Sequence, residues 1–324
     1  MAKAQLNVSV LVLTKNEQSD LAGCLESVPW CNDIHVFDSG STDATITIAE
    51  RFGATVTQRT YPQSDAPFGG DEAAHRTWGL RHIPFKHEWV LLLDADERAT
   101  PELMAEISDL LARGSSFDAY RICRRDYFLG TWIKHVTPSP MHIRLFKPHA
   151  VHYERLINPV TVVNGDVGDL QTFFDHFPFS KGMAHWFAKH NGYSNLEARQ
   201  LVNNAHTKAA DFKLSKALFS SDVTERRQHQ KGLYYQLPLR PLVMFMGLYV
   251  GKRGFLDGRA GFVYALLRAI YEYMIVLKVE ELKLQPVKVQ CDPQSAASPL
   301  AQAAYAAQTS TTLGRRSPEA STAT

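Results

Sequence analysis

Apolar and polar positions switch between two periods along the first hundred or so residues. "VSVLVL" (8–13) is a continuous apolar run of strand length, and Lys15, Asn16 and Glu17 follow at once. Leu21, Cys24, Leu25 and Val28 then recur at helical spacing. A second strand pattern at 34–37 runs into "DSGSTD". Beyond it, Thr45, Ile48, Ala49 and Phe52 form the buried face of a helix that Thr42 or Asp43 caps and Gly53 stops. A short strand at 54–57 and a Pro/Gly-rich loop, "YPQSDAPFGG", precede a helical segment carrying His75, Arg76 and Trp78. The apolar strand in "WVLLLDADE" comes next, and Thr100 with Pro101 sets the start of a helix over 101–112 that ends before Gly114. Strand and helix patterns in alternation predict a mostly parallel sheet covered by helices.

From about 117 to 180 the pattern changes to short strand-like runs, "DAYRIC", "HIRLFK" and "VTVV", between loops rich in Pro, His and aromatic residues. Residues 182–230 read as helical and amphipathic. A dense apolar block follows, and the Ala/Ser/Gln/Thr-rich stretch from 287 to 324 has the composition of a disordered tail. The expected organisation is a catalytic unit over 1–180, with halves at about 6–115 and 116–180, then a helical region over 181–286.

Composition narrows the picture. A 324-residue chain with 45% hydrophobic residues can build a substantial core. Thirty-five Lys and Arg against 33 Asp and Glu give a net charge of +2, too balanced for a whole-protein nucleic-acid binder. Cys24, Cys31, Cys123 and Cys291 show no zinc-ligand spacing and fit free thiols in a reducing compartment, the cytosol by default. The apolar run at 8–13 is too short for the core of a signal peptide.

Three strand-to-loop turns are polar: "TKNE", "DSGSTD" and "DADE". In open α/β sheets ligands bind where such turns converge, beyond the carboxyl ends of the parallel strands. Asp94 and Asp96, two residues apart, suit a hard divalent cation, Mg2+ or Mn2+. His149 and His152 have no third ligand at convincing spacing and read as loop histidines.

With these turns in this order, about residues 6–180 resemble a family 2 glycosyltransferase of the GT-A fold. The resemblance implies that Asp38 recognises the nucleotide base, with Thr14, Asn16, Glu17 and Ser39 in the same pocket. It further implies that Asp94 lies near the ribose or metal, that Asp96 binds the metal holding the diphosphate, and that Arg76 sits near the phosphates. "RRDYFLGTWIKH", "HIRLFKPHAVHYERL" and "KRGFLDGRAGF" are similar to a bacterial subgroup that adds glucose or related sugars to lipopolysaccharide cores. That subgroup carries "VHE" after an "RLF" strand, where this chain has "VHYE" with Tyr153 inserted. Inverting transfer needs a base on the acceptor hydroxyl, and Glu154 is the expected one, with Asp126, Asp166 and Asp169 as competitors. The partners implied are a nucleotide-sugar donor, a UDP-sugar first among them, and a lipid-linked glycan acceptor. A sugar-1-phosphate nucleotidyltransferase would share the sheet and the acids, but "TKNEQSD" lacks the Gly-rich basic loop that activity needs. A non-catalytic nucleotide-sugar-binding scaffold is the remaining alternative.

Residues 260–279 approach the length of a membrane-spanning helix. Arg268 and Glu272 would cost several kcal/mol at a bilayer centre, so a peripheral arrangement is expected. Their spacing of four predicts an ion pair along one helix face. Arg240, Lys252, Arg253, Arg259 and Lys278 would then meet anionic headgroups at the inner face of the bacterial cytoplasmic membrane. Burial within the protein or in a homodimer is the alternative for the same apolar faces.

Overall fold

The computed structural model describes residues 5–60, 71–154, 159–208 and 239–284. The elements run β1 (Val8–Thr14), α1 (Leu21–Glu26), β2 (Ile34–Asp38), α2 (Thr45–Arg51), β3 (Thr55–Gln58), α3 (Glu72–His82), β4 (Trp89–Asp94), β5 (Glu97–Ala99) and α4 (Pro101–Arg113). They continue with β6 (Ala119–Phe128), β7 (Thr131–Trp132), β8 (Met141–Phe146), β9 (Val151–Glu154), β10 (Val160–Val163) and β11 (Val167–His176). The helices α5 (Gly182–Lys208), α6 (Arg240–Met246) and α7 (Gly258–Leu284) complete the described chain.

The main sheet follows the order β3-β2-β1-β4-β8-β6-β11-β5, with β7 hairpinned onto β6. β1 pairs in parallel with β2 and β4, and β2 with β3, as the alternating pattern requires. β8 enters antiparallel between β4 and β6, and β11 then restores the parallel direction beside β6. The sheet is therefore mixed and mostly parallel, with β8 and the short β5 and β7 as the reversed strands. Val8, Val10, Val12, Leu91 and Leu93 are fully buried on one face, and Leu11, Val90 and Leu92 pack on the other. That two-sided burial is why β1 and β4 read as continuous apolar runs.

Local chemistry sets the boundaries. Thr100 caps α4, its side chain accepting from the Leu103 amide at 3.1 Å, and Pro101 occupies the first turn. α2 starts later than expected, at Thr45, because Asp43 bonds the Thr45 amide at 3.0 Å within the turn. Phe52, expected on the buried face, is exposed. The loop at 61–70, the segment after 208 and the tail from 285 lie outside the described residues.

The C-terminal helices form a third core with the β6–β8 connection. Phe128, Ile133 and Val136 pack against Trp186, Ala260, Ala265, Leu267 and Tyr271. Asp257 locks the joint by accepting from the His135 and Val136 amides at 3.0 and 2.7 Å and from the His135 ring at 2.6 Å. Within "KRGFLDGRAGF" a Cβ on Gly261 would run into the Gly254 carbonyl, so this corner closes only with glycine. Glu272 does not pair with Arg268, as the helical spacing predicts. It bonds Arg240 of α6 at 2.7 Å, both side chains buried, because Glu272 faces α6 and a buried carboxylate needs a buried partner. Arg268 is left over the Tyr271 ring, 5.5 Å from its centroid.

Candidate active site

The carboxyl ends of β1, β2 and β4 open into one cavity of about 690 Å³, closed on its far side by α5 and α7. Its sheet wall presents Thr14, Lys15, Glu17, Ser39, Asp94 and Asp96. The in-register pairing of Thr14 with Asp38 and of Leu13 with Asp94 brings the three polar turns to one level.

Asp38 is where expectation and structure part. Its carboxylate is fully buried beneath the cavity floor and accepts from Thr14 Oγ1 at 2.9 Å, from the Gly40 and Ser41 amides at 3.0 and 2.8 Å, and from the Ser41 hydroxyl. Burial opposes its ionisation, but the Ser41 and Thr14 hydrogen bonds outweigh burial and hold the carboxyl below its usual range. With these donors around it, Asp38 shapes the 38–41 turn and presents no oxygen to the cleft. Gly40 turns this corner at φ +85°, a conformation that favours glycine. Asn16 likewise serves the loop, accepting from the Thr42 amide at 2.8 Å, and Glu17 bonds Lys181 at 2.8 Å across the cleft.

Ser39 does face the cavity, its hydroxyl 3.0 Å from Nε2 of His75. Burial first, then Arg59 and Arg76, push His75 down to about 4, so it is neutral at physiological pH. Arg76 is no ordinary surface arginine. It lines the cavity, bonds Glu72 and sits over the Tyr153 ring at 5.6 Å.

The two acids of "DAD" have different partners. β4 ends at Asp94, which Arg144 of β8 bonds at 2.8 Å; the same guanidinium reaches buried Glu97 at 2.6 Å. Burial works against Asp94, but Arg144 and Arg76 hold its carboxyl far below the usual range. Asp96 lies in the turn before β5, and His176, at the end of β11, approaches it at 3.3 Å. His176 donates through its other nitrogen to Asp126 at 2.7 Å. Burial would lower this histidine, but the bonds to Asp126 and Asp96 lift it to about 9 and keep the imidazole protonated. Among the described residues, no three His, Cys, Asp or Glu side chains form a ready-made metal cage. Asp96 is still partly open to the cavity, and one or two carboxylates with phosphate oxygens and water suffice for Mg2+.

Glu154 lies elsewhere. In β9 the side chains alternate, so Val151 and Tyr153 point into the core and Glu154 points outward, exposed and 3.2 Å from His152. It lines a separate shallow pocket with Thr77, Trp78 and Arg81 of α3. Asp169 pairs with Arg121 on the surface at 2.6 Å, and Asp166 is also exposed. Of the four candidate bases, only Asp126 lines the main cavity.

Arg144, His176, Lys181, Lys189 and Arg268 went unremarked as site residues in the sequence. A lone arginine inside the apolar run "HIRLFK" was the available signal for the first. The others come from elements far apart in the chain.

The family description "Glycosyl transferase family 2" matches residues 9–161. The chain is 25% identical over 293 residues to the lipopolysaccharide core biosynthesis glycosyltransferase LpsC of Rhizobium meliloti, covering 87% of this chain and 96% of that one. It is 26% identical over 288 residues to an uncharacterized glycosyltransferase of Rickettsia typhi, covering 86% and 88%. Among solved structures, glucosyl-3-phosphoglycerate synthase from Mycobacterium tuberculosis, in complex with Mn2+, uridine diphosphate and glucosyl-3-phosphoglycerate, aligns with a TM-score of 0.33 and 17% identity. That alignment covers 46% of this chain and 58% of the other. Turns, sheet order and sequence match point the same way: residues 9–161 match the family 2 glycosyltransferases, and they lie on a mixed, mostly parallel sheet of the GT-A kind.

Proposed function

We propose that the cavity binds a nucleoside-diphosphate sugar with a divalent cation and transfers its hexose, with inversion, to a glycan of the lipopolysaccharide-core kind or another lipid-linked glycan. The observation that carries this reading is the convergence of Ser39, Arg76, Asp94, Asp96 and His176 on one cavity at the ends of parallel strands. Thr14 and Ser39 face the nucleoside, Asp38 fixes the turn beneath it, and Arg76 meets the phosphates. Asp96 would hold Mg2+ or Mn2+, whose charge offsets that developing on the leaving diphosphate. Asp94 is already neutralised by Arg144, so its part is to position that corner of the site. His176, held by Asp126, orients Asp96. Asp126 takes the place expected of Glu154 as the acid through which the acceptor half acts.

The C-terminal helices fit a peripheral location on the cytoplasmic side of the membrane. Leu242, Met246, Val250, Phe255, Leu256, Phe262, Leu266, Ile270 and Tyr273 are exposed along α6, α7 and the turn between them, a wide apolar face. The helix over Gly254–Leu284 is long and apolar enough to cross a bilayer, but the buried Arg240 to Glu272 pair ties it to α6 as part of the fold. The test is transfer itself. Purified protein with Mn2+, labelled UDP-glucose and rough lipopolysaccharide should move label into the lipid-linked glycan. Absence of label with every sugar nucleotide tried, alongside intact fold, contradicts the reading.

A further inference from the structure

The far wall of the cavity differs in charge from the sheet wall. α5 contributes His185, Lys189 and His190, and α7 contributes Arg268, one turn after Tyr264. Among the described residues, neither Lys189 nor Arg268 has a carboxylate partner. Lys189 lies over the Tyr193 ring at 5.9 Å and Arg268 over Tyr271. Three other cations of the cavity are differently placed: Lys181 is held by Glu17, Arg76 by Glu72 and Arg124 by Asp126. Lys189 and Arg268 line the same cavity, and both charges help push His190 down, after burial. The wall is rigid. Lys278 clamps α7 to α5 through Asn191 and Ser194 at 2.6–2.8 Å, and Tyr271 bonds Glu197 at 3.2 Å.

Two like charges on one cavity wall, with no carboxylate partner among the described residues, raise the local positive potential, and a bound anion is favoured there. The carboxylates of the sheet wall are otherwise engaged: partners hold Glu17, Glu72, Asp94 and Asp126, and His176 approaches Asp96 at 3.3 Å. The partly exposed rings of Phe179 and Tyr264, in the same wall, offer the apolar surface on which a sugar face packs.

We propose that Lys189 and Arg268 form the acceptor subsite and that the acceptor sugar carries an anionic group, a phosphate or a carboxylate, which these two side chains bind. The proposal rests on the glycosyltransferase reading and adds the acceptor's chemistry to it. Arg268 supplies a planar fork for two oxygens, and Lys189 a point charge beside it.

Calorimetric titration of the full chain separates the two readings. The first arm adds uridine diphosphate with Mn2+ to the parent protein; no binding counts against the nucleotide site, whatever the second arm shows. The second arm titrates glucose-6-phosphate, glucuronate and glucose into protein already saturated with uridine diphosphate and Mn2+, which removes the diphosphate subsite from competition. The expected result is binding of one or both anionic sugars and none of glucose. Which of the two binds tells phosphate from carboxylate. Arg268→Gln and Lys189→Gln should each weaken that binding by about tenfold or more, the scale of one lost charge-assisted hydrogen bond, and leave the nucleotide's affinity unchanged. Equal binding of glucose and the anionic sugars, no binding of any of them, or mutants that bind as the parent does would overturn the proposal. So would mutants that lose uridine diphosphate instead, since the cations would then serve the donor.

Discussion

The two walls of the cavity are built on opposite electrostatic plans. On the sheet wall the acids other than Asp96 are answered: Asp38 by hydroxyls and amides, Asp94 and Glu97 by one shared guanidinium, Asp126 by His176 and Arg124. On the helical wall, Lys189 and Arg268 have no carboxylate among the described residues, and aromatic rings stand in for one. Saturated charges cannot reorganise cheaply, so the sheet wall is preorganised architecture around a few open groups, chiefly Asp96 and Ser39. The helical wall has cations to spare for what arrives.

The largest effect should come from breaking the sheet-wall network at its hub. Arg144→Met leaves Asp94 and buried Glu97 without their cation and should lower unfolding stability by about 3–5 kcal/mol in urea melts. Glu97→Gln, added to that variant, should recover part of the loss, because burial already pushes Glu97 up to about 7 and favours its neutral form. Recovery failing to appear would mean that Asp94 alone carries the cost.

Next in size is turnover. Asp126→Asn should lower transfer by about a hundredfold, the usual scale for a lost proton acceptor or its support, while Glu154→Gln stays within about twofold of the parent. Steady-state kinetics with saturating donor checks both, and the reverse pattern would return the role to Glu154.

His75 gives the pH dependence. Its folded value is about 4 against 6.5 when unfolded, so the unfolded chain binds a proton that the folded one refuses between those pH values. Stability from this group is complete above pH 6.5 and is lost as pH falls towards 4, by up to about 3 kcal/mol. His75→Gln should flatten that part of the acid limb in melts run at successive pH values. An unchanged limb would place the titration elsewhere.

The smallest effect concerns the outer surface. Sedimentation with anionic vesicles should capture the parent protein and release it as salt rises, and Lys252→Glu with Arg253→Glu should reduce capture severalfold. Phe262→Ser with Leu266→Ser, both exposed in the free protein, should do the same without lowering stability. Capture that is absent at every salt concentration would leave the apolar face to a second copy of the chain.

Much of the sheet and part of the site could be read from residue order. β1, β2 and β4 were legible because burial on both faces leaves continuous apolar runs, and α4 because Thr100 and Pro101 mark its start. The polar turns marked the cavity because strand ends carry the ligands in such sheets. What stayed hidden depends on contacts across long sequence separation. Arg144 belongs to an ordinary-looking strand until β8 is seen to insert beside β4. His176 reaches Asp96 only because β11 runs parallel to β6 and ends at the same level. Helical spacing joined Glu272 to Arg268, but the carboxylate points towards α6 and Arg240. Asp38 shows the converse: its turn was correctly singled out, while the number of donors converging on its carboxylate, and hence its burial, needed the folded loop.

Asp96 should couple a divalent cation to a sugar nucleotide in this cavity. Thermal-shift measurements of the parent and Asp96→Asn, over a panel of nucleotide sugars with and without Mn2+, test it most directly, because a ligand that binds the native state raises its melting temperature with concentration. The parent should shift with at least one nucleotide sugar only when Mn2+ is present, and Asp96→Asn, which melts as the parent does without ligand, should lose that shift. A shift of equal size in parent and variant, or none for the parent with any nucleotide sugar in Mn2+, would contradict it.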